Sequence, residues 1–288
     1  MPEGPEIRRA ADELAAALVG TRAERVRFGL PRLKRHERRL SGRVVTAVEA
    51  RGKALLTRFE GGPVIYSHNQ LYGIWSVCAP GRPPTWGREL RLAIHGERRW
   101  ALLYSASEIE VLDAATVEQH PFLLRLGPDA LDPGVSPEQI TRRLAEPRFR
   151  RRRLDALLLD QGFVAGLGNY LRSEILHFAR LHPGRTPEGL DPAERKRLAR
   201  MCLELPRRSY RTAGVTSSPA VVARMKRAGE PWRSYRFSAY GREGLPCHGC
   251  GEPIERLDSS GRGCFVCPSC QPAPRSPRKA THRPARKA

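Results

Sequence analysis

The chain has 288 residues and a formal net charge of +21, with 51 Lys and Arg against 30 Asp and Glu. Such a surplus repels itself unless a polyanion neutralises it, so nucleic acid is the expected partner, and the length suffices for two globular domains and a smaller module. No apolar run approaches a membrane span and no signal peptide opens the chain, which argues against a membrane partner and predicts a cytoplasmic, reducing setting.

Taken in order, Ile7, Ala10, Ala11, Leu14, Ala17 and Leu18 recur at helical spacing, with Pro5 suited to a first turn and Gly20 to a C-cap, so a helix is predicted over 5–19. From about residue 42 the pattern becomes one of strands: 44–48, 54–59, 64–67, 74–77, 90–94 and 100–104. These predict a β-sandwich or flattened barrel within an N-terminal domain of residues 1–130. After Pro121 the segments 136–144, 153–159, 170–179 and 191–205 read as helices, and Ser136-Pro137 and Asp191-Pro192 are each a cap and first-turn pair. Residues 131–235 thus form a helical domain that ends in an Arg-, Ser- and Gly-rich stretch, 211–235, predicted as a mobile loop. A metal module over 236–272 and a basic disordered tail over 273–288 complete an α+β multidomain chain.

Four cysteines define the module. Cys247 and Cys250 form one CxxC pair, Cys267 and Cys270 another, with sixteen residues between the pairs. Each pair supplies two corners of a tetrahedron, a pattern suited to one structural zinc ion with no open position for catalysis. His248 is not expected to be a ligand, and Cys78, Cys202 and Cys264 are expected to be buried apolar residues. Arg262, five residues before Cys267, sits at the predicted hairpin tip, either to meet a phosphate or as a solvated surface charge.

The opening residues carry different chemistry. Removal of the initiator Met would leave Pro2 with a free secondary amine, of reference pKa roughly 8. Its attack on a sugar aldehyde gives an iminium with no N–H to lose, a lasting electron sink for elimination. The alternative is a frayed terminus. Glu3 and Glu6 lie close enough to protonate a sugar or base, or they decorate a helix dipole. Lys53 is one of six lysines in a chain charged mostly by arginine, and lysine, unlike arginine, takes a depressed pKa and transfers protons; a surface lysine is the alternative. In the turn Ser67–Gly73, Gln70, Leu71 and Tyr72 either form a wedge for a base stack or fold inward. The Gly-rich stretch 160–169, ending in Asn169, either cradles a phosphate at a helix N-terminus or merely connects helices.

Together, Pro2-Glu3-Gly4-Pro5-Glu6, Arg51-Gly52-Lys53, the Ser67–Gly73 segment, Gly166-Leu167-Gly168-Asn169-Tyr170 and the Cys247–Cys270 finger resemble the formamidopyrimidine-DNA glycosylase and endonuclease VIII family, closest to its endonuclease VIII branch. The resemblance runs from residue 1 to about 271. It implies a helix-two-turn-helix DNA-binding domain, a zinc finger, and a monomeric, nucleoid-associated base-excision repair enzyme acting on duplex DNA with an oxidised base or abasic site. It further implies Pro2 as Schiff-base nucleophile, Glu3 as general acid, Lys53 as proton donor of β-elimination, and Arg262 acting in δ-elimination, more plausibly by holding phosphate than by releasing a proton. Glu6 and Glu174 become additional pocket candidates, and Gln70, Leu71, Tyr72, Arg125 and Asn169 become DNA contacts. Gly263-Cys264 departs from the family pattern and predicts a more flexible hairpin tip. An oxidised-purine glycosylase of the same family and a non-catalytic zinc-ribbon DNA-binding protein are the competing functions.

Overall fold

The computed structural model describes residues 2–259 and 261–274; most of the predicted tail lies outside them. Helix α1 (Gly4–Leu18) is followed by β1 (Ala23–Phe28), α2 (Glu37–Leu40), β2 (Val45–Arg51), β3 (Ala54–Phe59), β4 (Pro63–His68), β5 (Ile74–Cys78), β6 (Leu90–Gly96), β7 (Trp100–Tyr104) and β8 (Glu108–Asp113). Helices α3 (Pro121–Leu124), α4 (Pro137–Leu144), α5 (Leu154–Leu157), α6 (Asn169–Ala179), α7 (Pro192–Arg211), α8 (Pro219–Arg227) and α9 (Trp232–Arg236) come next, and the hairpin β9 (Glu255–Ser259) and β10 (Arg262–Val266) closes the fold.

Two antiparallel four-stranded sheets, ordered β1-β6-β7-β5 and β2-β3-β4-β8, make the sandwich. Strands β1 and β8 were not expected from the sequence. A bulge between Ala23 and Arg25 breaks the alternation of β1; β8 is a short edge strand in which Glu108-Ile109-Glu110-Val111 does alternate, a signal the sequence reading passed over. Helix α1 buries Ile7, Ala11, Leu14 and Leu18 against apolar residues of both sheets, as its periodicity requires. The second core gathers α4, α5, α6 and α7 and also takes in Cys264 and Val266, so β10 packs onto the helical domain through its apolar face.

The helical domain departs from expectation in three places. Helix α5 is a single turn, where seven helical residues were predicted. Helix α7 runs through Pro206, which is buried along with Leu205 and Ser209. Proline has no N–H to offer in a helix interior, so burial of this face outweighs the lost bond. The stretch predicted as a mobile loop holds the end of α7, all of α8 and most of α9. Glu174 fastens the neighbouring chain: its carboxylate accepts from Ser238 N (2.9 Å), Ala239 N (2.8 Å), Tyr240 N (2.9 Å) and Thr216 Oγ1 (2.6 Å). Those partners lie 42 to 66 residues away in sequence, beyond any local pattern.

Replacing Glu174 with Gln exchanges one acceptor oxygen for an NH2 donor that faces N–H and O–H donors inside the protein. The unfolding free energy should fall by about 2–4 kcal/mol, as measured by urea titration. A change below about 0.5 kcal/mol would show that 214–240 is held by other contacts.

Candidate active site and thiolate cluster

Helix α6 begins at a glycine, Gly168, which has no side chain to cap the helix's first amide groups. Glu3 supplies the cap from a distant part of the chain: its Oε1 accepts from Tyr170 N at 2.8 Å and its Oε2 from Leu171 N at 3.3 Å. A Cβ on Gly168 would lie 2.3 Å from Glu3 Cδ, so only glycine leaves room for this carboxylate. The next contact fixes the approach. Gly4 N donates to Gly166 O at 2.8 Å, and a Cβ on Gly4 would sit 2.9 Å from Gly166 Cα. The amides expected to cradle a phosphate at α6 are therefore already engaged by a carboxylate.

Glu6, in the first turn of α1, accepts from Glu3 N at 3.0 Å and from the Tyr170 hydroxyl at 3.1 Å. Burial pushes the Glu3 carboxyl up to about 7, opposed by the nearby Lys53 ammonium and the amides of Tyr170 and Leu171. Lys53 lies in the β2–β3 turn and is itself buried. Burial pushes its ammonium down, Glu3 pulls it back up, and Arg262 adds to the depression. The turn is set by Gly52, whose φ of +61° favours glycine and whose N–H donates to Asp129 Oδ2 at 2.9 Å.

A cleft of about 1280 Å³ opens over these groups, lined by Pro2, Glu3, Glu6, Asn69, Leu71, Asn169, Tyr170, Arg236, Phe237 and Arg262 among others. Lys53 does not line it but is close enough to Glu3 and Arg262 to feel both charges. Gln70, Tyr72, Arg125 and Glu174 do not line it either. Glu174 is spent on the backbone anchor described above, which removes it as a pocket group. Leu71 and Arg262 also border a second cavity of about 690 Å³, with His68, Gln70, Glu108 and Arg125. Of the two alternatives left open for the 67–73 turn, outward projection holds for Leu71, 56% exposed, and Tyr72, 70% exposed.

Asn169 also differs from expectation. The Asn169 amide donates to Gly263 O (3.2 Å) and accepts from Arg172 Nη2 (2.8 Å), and Arg172 donates to the Arg262 and Gly263 carbonyls as well. With Cys264 fully buried, residues 262–264 are tied to α6; the turn that the predicted flexibility concerns includes residue 260, outside the described residues. Sequence reasoning gave no role to Arg172, which is wholly buried, or to Arg236 and Phe237, which reach the cleft from just beyond the stretch read as a loop. The one available signal was Arg172 three residues after Asn169, on the same helix face.

The Sγ atoms of Cys247, Cys250, Cys267 and Cys270 lie within 4.8 Å of one another, close enough for one ion to touch all four, and His248 is not part of the group. The His177 imidazole beside Cys247 holds that thiol down at about 5, favouring the ligating thiolate. Cys202 and Cys264 are buried as expected, and Cys78 is partly so.

Family models for the formamidopyrimidine-DNA glycosylase N-terminal domain and H2TH domain match residues 1–107 and 126–219. The chain belongs to the formamidopyrimidine-DNA glycosylase family. It is 49% identical to Endonuclease 8 of Pectobacterium atrosepticum and 47% identical to Endonuclease 8 of Escherichia coli K12, each over 94% of this chain and the whole relative. Among solved structures it is similar to Lactococcus lactis Fpg (MutM) bound to DNA containing an oxidised pyrimidine, with 22% identity and a TM-score of 0.78. It is likewise similar to the same Fpg bound to DNA containing an abasic site, with 20% identity and a TM-score of 0.78. In both, 94% of this chain and 100% of the other are covered. Among the described residues, no helix is long and apolar enough to cross a membrane.

A metal held by the four thiolates would bridge the two ends of the hairpin. Chelation should raise hydrogen exchange across 247–271 while the sandwich amides stay protected. Unchanged exchange after metal removal would mean that packing of Cys264 and Val266 alone holds the hairpin.

Proposed function

We propose that this chain removes oxidised pyrimidines from duplex DNA through an imine at Pro2 and then cuts the strand by β- and δ-elimination. Membership of the family makes it a DNA glycosylase and abasic-site lyase of base excision repair. The endonuclease VIII relatives support the pyrimidine preference. The observation that carries the mechanism is the juxtaposition at the cleft: Pro2 on its lining, Glu3 buried with a carboxyl near neutrality, and a buried Lys53 held low.

The positive surface brings the protein to DNA, and Leu71 and Tyr72 press into the stack where a damaged nucleotide leaves most easily. With Met1 removed, the Pro2 nitrogen attacks the sugar C1′ and the base departs, taking a proton delivered by Glu3. Once the amine has lost its proton, the nitrogen lone pair opens the sugar ring: C1′–O4′ breaks, O4′ takes a proton, and the iminium so formed acidifies C2′. Loss of the C2′ proton expels the 3′ phosphate, with Lys53 as the proton donor of this elimination. A second elimination expels the 5′ phosphate, whose charge Arg262 holds. Glu6 positions the Glu3 segment through its backbone and Tyr170. Arg125, on the second cavity, and Asn169, on the cleft and bonded to the Gly263 carbonyl, would be the further DNA contacts.

Zinc is the metal that the four thiolates suit, as a closed structural site. The working divisions are a catalytic sandwich over 1–130, a helix-two-turn-helix domain over 131–235 and a finger over 236–272, acting on the nucleoid in the cytoplasm. A zinc-ribbon binder without catalysis would give no reason for a neutral-range carboxyl beside a buried lysine.

Borohydride added to the protein and abasic-site DNA should trap a covalent adduct on Pro2, located by peptide mass spectrometry, and Pro2→Gly with Met1 retained should lose at least about a hundredfold in trapping. An adduct on Lys53 would overturn the assignment. Excision of thymine glycol should exceed that of 8-oxoguanine; the reverse preference would favour the purine-directed function.

Glu3 donates only while protonated, so its elevated value fixes the direction of pH dependence. Because the Pro2 amine, of reference pKa roughly 8, must be neutral to attack, single-turnover base release should be level between about 7 and about 8 and fall about tenfold per pH unit above that, whereas cleavage at a preformed abasic site should lack the falling limb. Parallel profiles for the two substrates would take the proton-donor role away from Glu3.

A further inference from the structure

Gln271, the residue after the last cysteine, is wholly buried although its side chain is a polar amide. A buried amide is costly unless both its ends find partners. Its Oε1 accepts from Cys267 N at 3.0 Å and its Nε2 donates to Leu181 O at 2.9 Å, while its own N–H donates to Cys267 O at 2.9 Å. The Cys267–Cys270 turn is thereby closed from within and fastened to a carbonyl just past the end of α6. Inside the same turn Cys270 N donates to the Cys267 sulfur at 3.4 Å, so an amide is already aimed at that thiol.

Leu181 ends a series of contacts that recurs every fourth residue. The Asn169 amide donates to Gly263 O at 3.2 Å, Ser173 Oγ accepts from Phe265 N at 3.2 Å, and the His177 imidazole is hydrogen-bonded to the side chains of Cys247 and Gln271. Residues four apart lie on one face of a helix, so 169, 173 and 177 form a polar stripe that the Leu181 carbonyl continues. The finger lies along this stripe, with β10 at its start and the thiolates at its end. The first amides of the same helix hold Glu3, which places the carboxylate and the cluster at opposite ends of α6. Neither Gln271 nor His177 belongs to the four clustered donors, and each touches one of them.

We propose that Gln271 and His177 are positioning residues of the metal site: they hold Cys267 and Cys247, one cysteine from each CxxC pair, in a ligating arrangement and bind the cluster to the end of α6. The inference rests on the reading that the four thiolates hold zinc. A tetrahedral site gains affinity when its donors are set in place before the ion arrives, and groups behind the ligands do this by fixing their orientation. Gln271 acts through the backbone of one CxxC turn and His177 on the sulfur of the other, so both halves of the cluster are referred to one helix.

The test uses the full-length protein loaded with zinc, its metal content set by elemental analysis and its affinity measured by competition with a chromogenic chelator. Gln271→Met keeps a side chain of similar size and removes both of its hydrogen bonds; its zinc affinity should fall by about 10–100-fold, the range found when a group behind a metal ligand is lost. Hydrogen exchange on the loaded samples separates this role from plain packing, because amides within α6 and α7 should keep wild-type protection in the variant. Wild-type affinity in Gln271→Met, or weaker binding accompanied by lost protection throughout α6, would overturn the proposal. Should Gln271→Met fail to fold, His177→Phe keeps a ring and removes the bond to Cys247; an affinity about tenfold lower is expected, and wild-type affinity overturns the positioning role. Wild-type protein that takes up no zinc would remove the metal reading and this proposal with it, whereas zinc-loaded wild type matched by the variant removes this proposal alone.

Discussion

The Glu3 carboxylate is the contact on which the site depends, because it does two jobs with incompatible preferences. As the missing cap of α6 it accepts two amides and is favoured as an anion. As a buried group it is pushed towards neutrality. The balance of the two leaves it near 7, where a proton can be both held and given. The same contact joins the sandwich domain to the helical domain, so Pro2, one residue earlier, is placed by the first turn of a helix from the other half of the molecule.

Around that junction the structure repeatedly uses buried polar groups to position exposed ones. Arg172 is wholly buried and donates to the carbonyls beneath Arg262, which leaves the Arg262 guanidinium at the cleft. Glu174 holds the backbone at 238–240 and Thr216, next to the residues from which Arg236 and Phe237 enter the same cleft. At the edge of the sandwich, Glu108 likewise accepts from the hydroxyl of the buried Tyr66 and from the Gln70 amide. A buried polar group left without its partners is costly, so each anchor has few alternative arrangements and the group it supports inherits that definition.

The thiolate cluster belongs to the same logic. It fastens the hairpin's two ends, while Cys264 and Val266 seat its face in the helical core and Asn169 and Arg172 fix its tip. A hairpin of two five-residue strands has little core of its own, and these three attachments together orient Arg262.

Several features were legible in the sequence because their causes are local. The 3.6-residue period of α1 gives its buried face, the Ser136-Pro137 and Asp191-Pro192 pairs give the starts of α4 and α7, and two CxxC turns bring their own thiols together. Tertiary structure decided what depends on partners far along the chain. It assigned Glu3 to the amides of Tyr170 and Leu171, removed Glu174 from the cleft, carried α7 past Pro206, and turned the stretch from 211 into helices. It also turned Leu71 and Tyr72 outward. The physical reason is the same throughout. Periodicity and capping are set by neighbours within a turn or two, whereas the partner of a buried charge is chosen by packing, and nothing in the residues beside it says which distant donor will arrive.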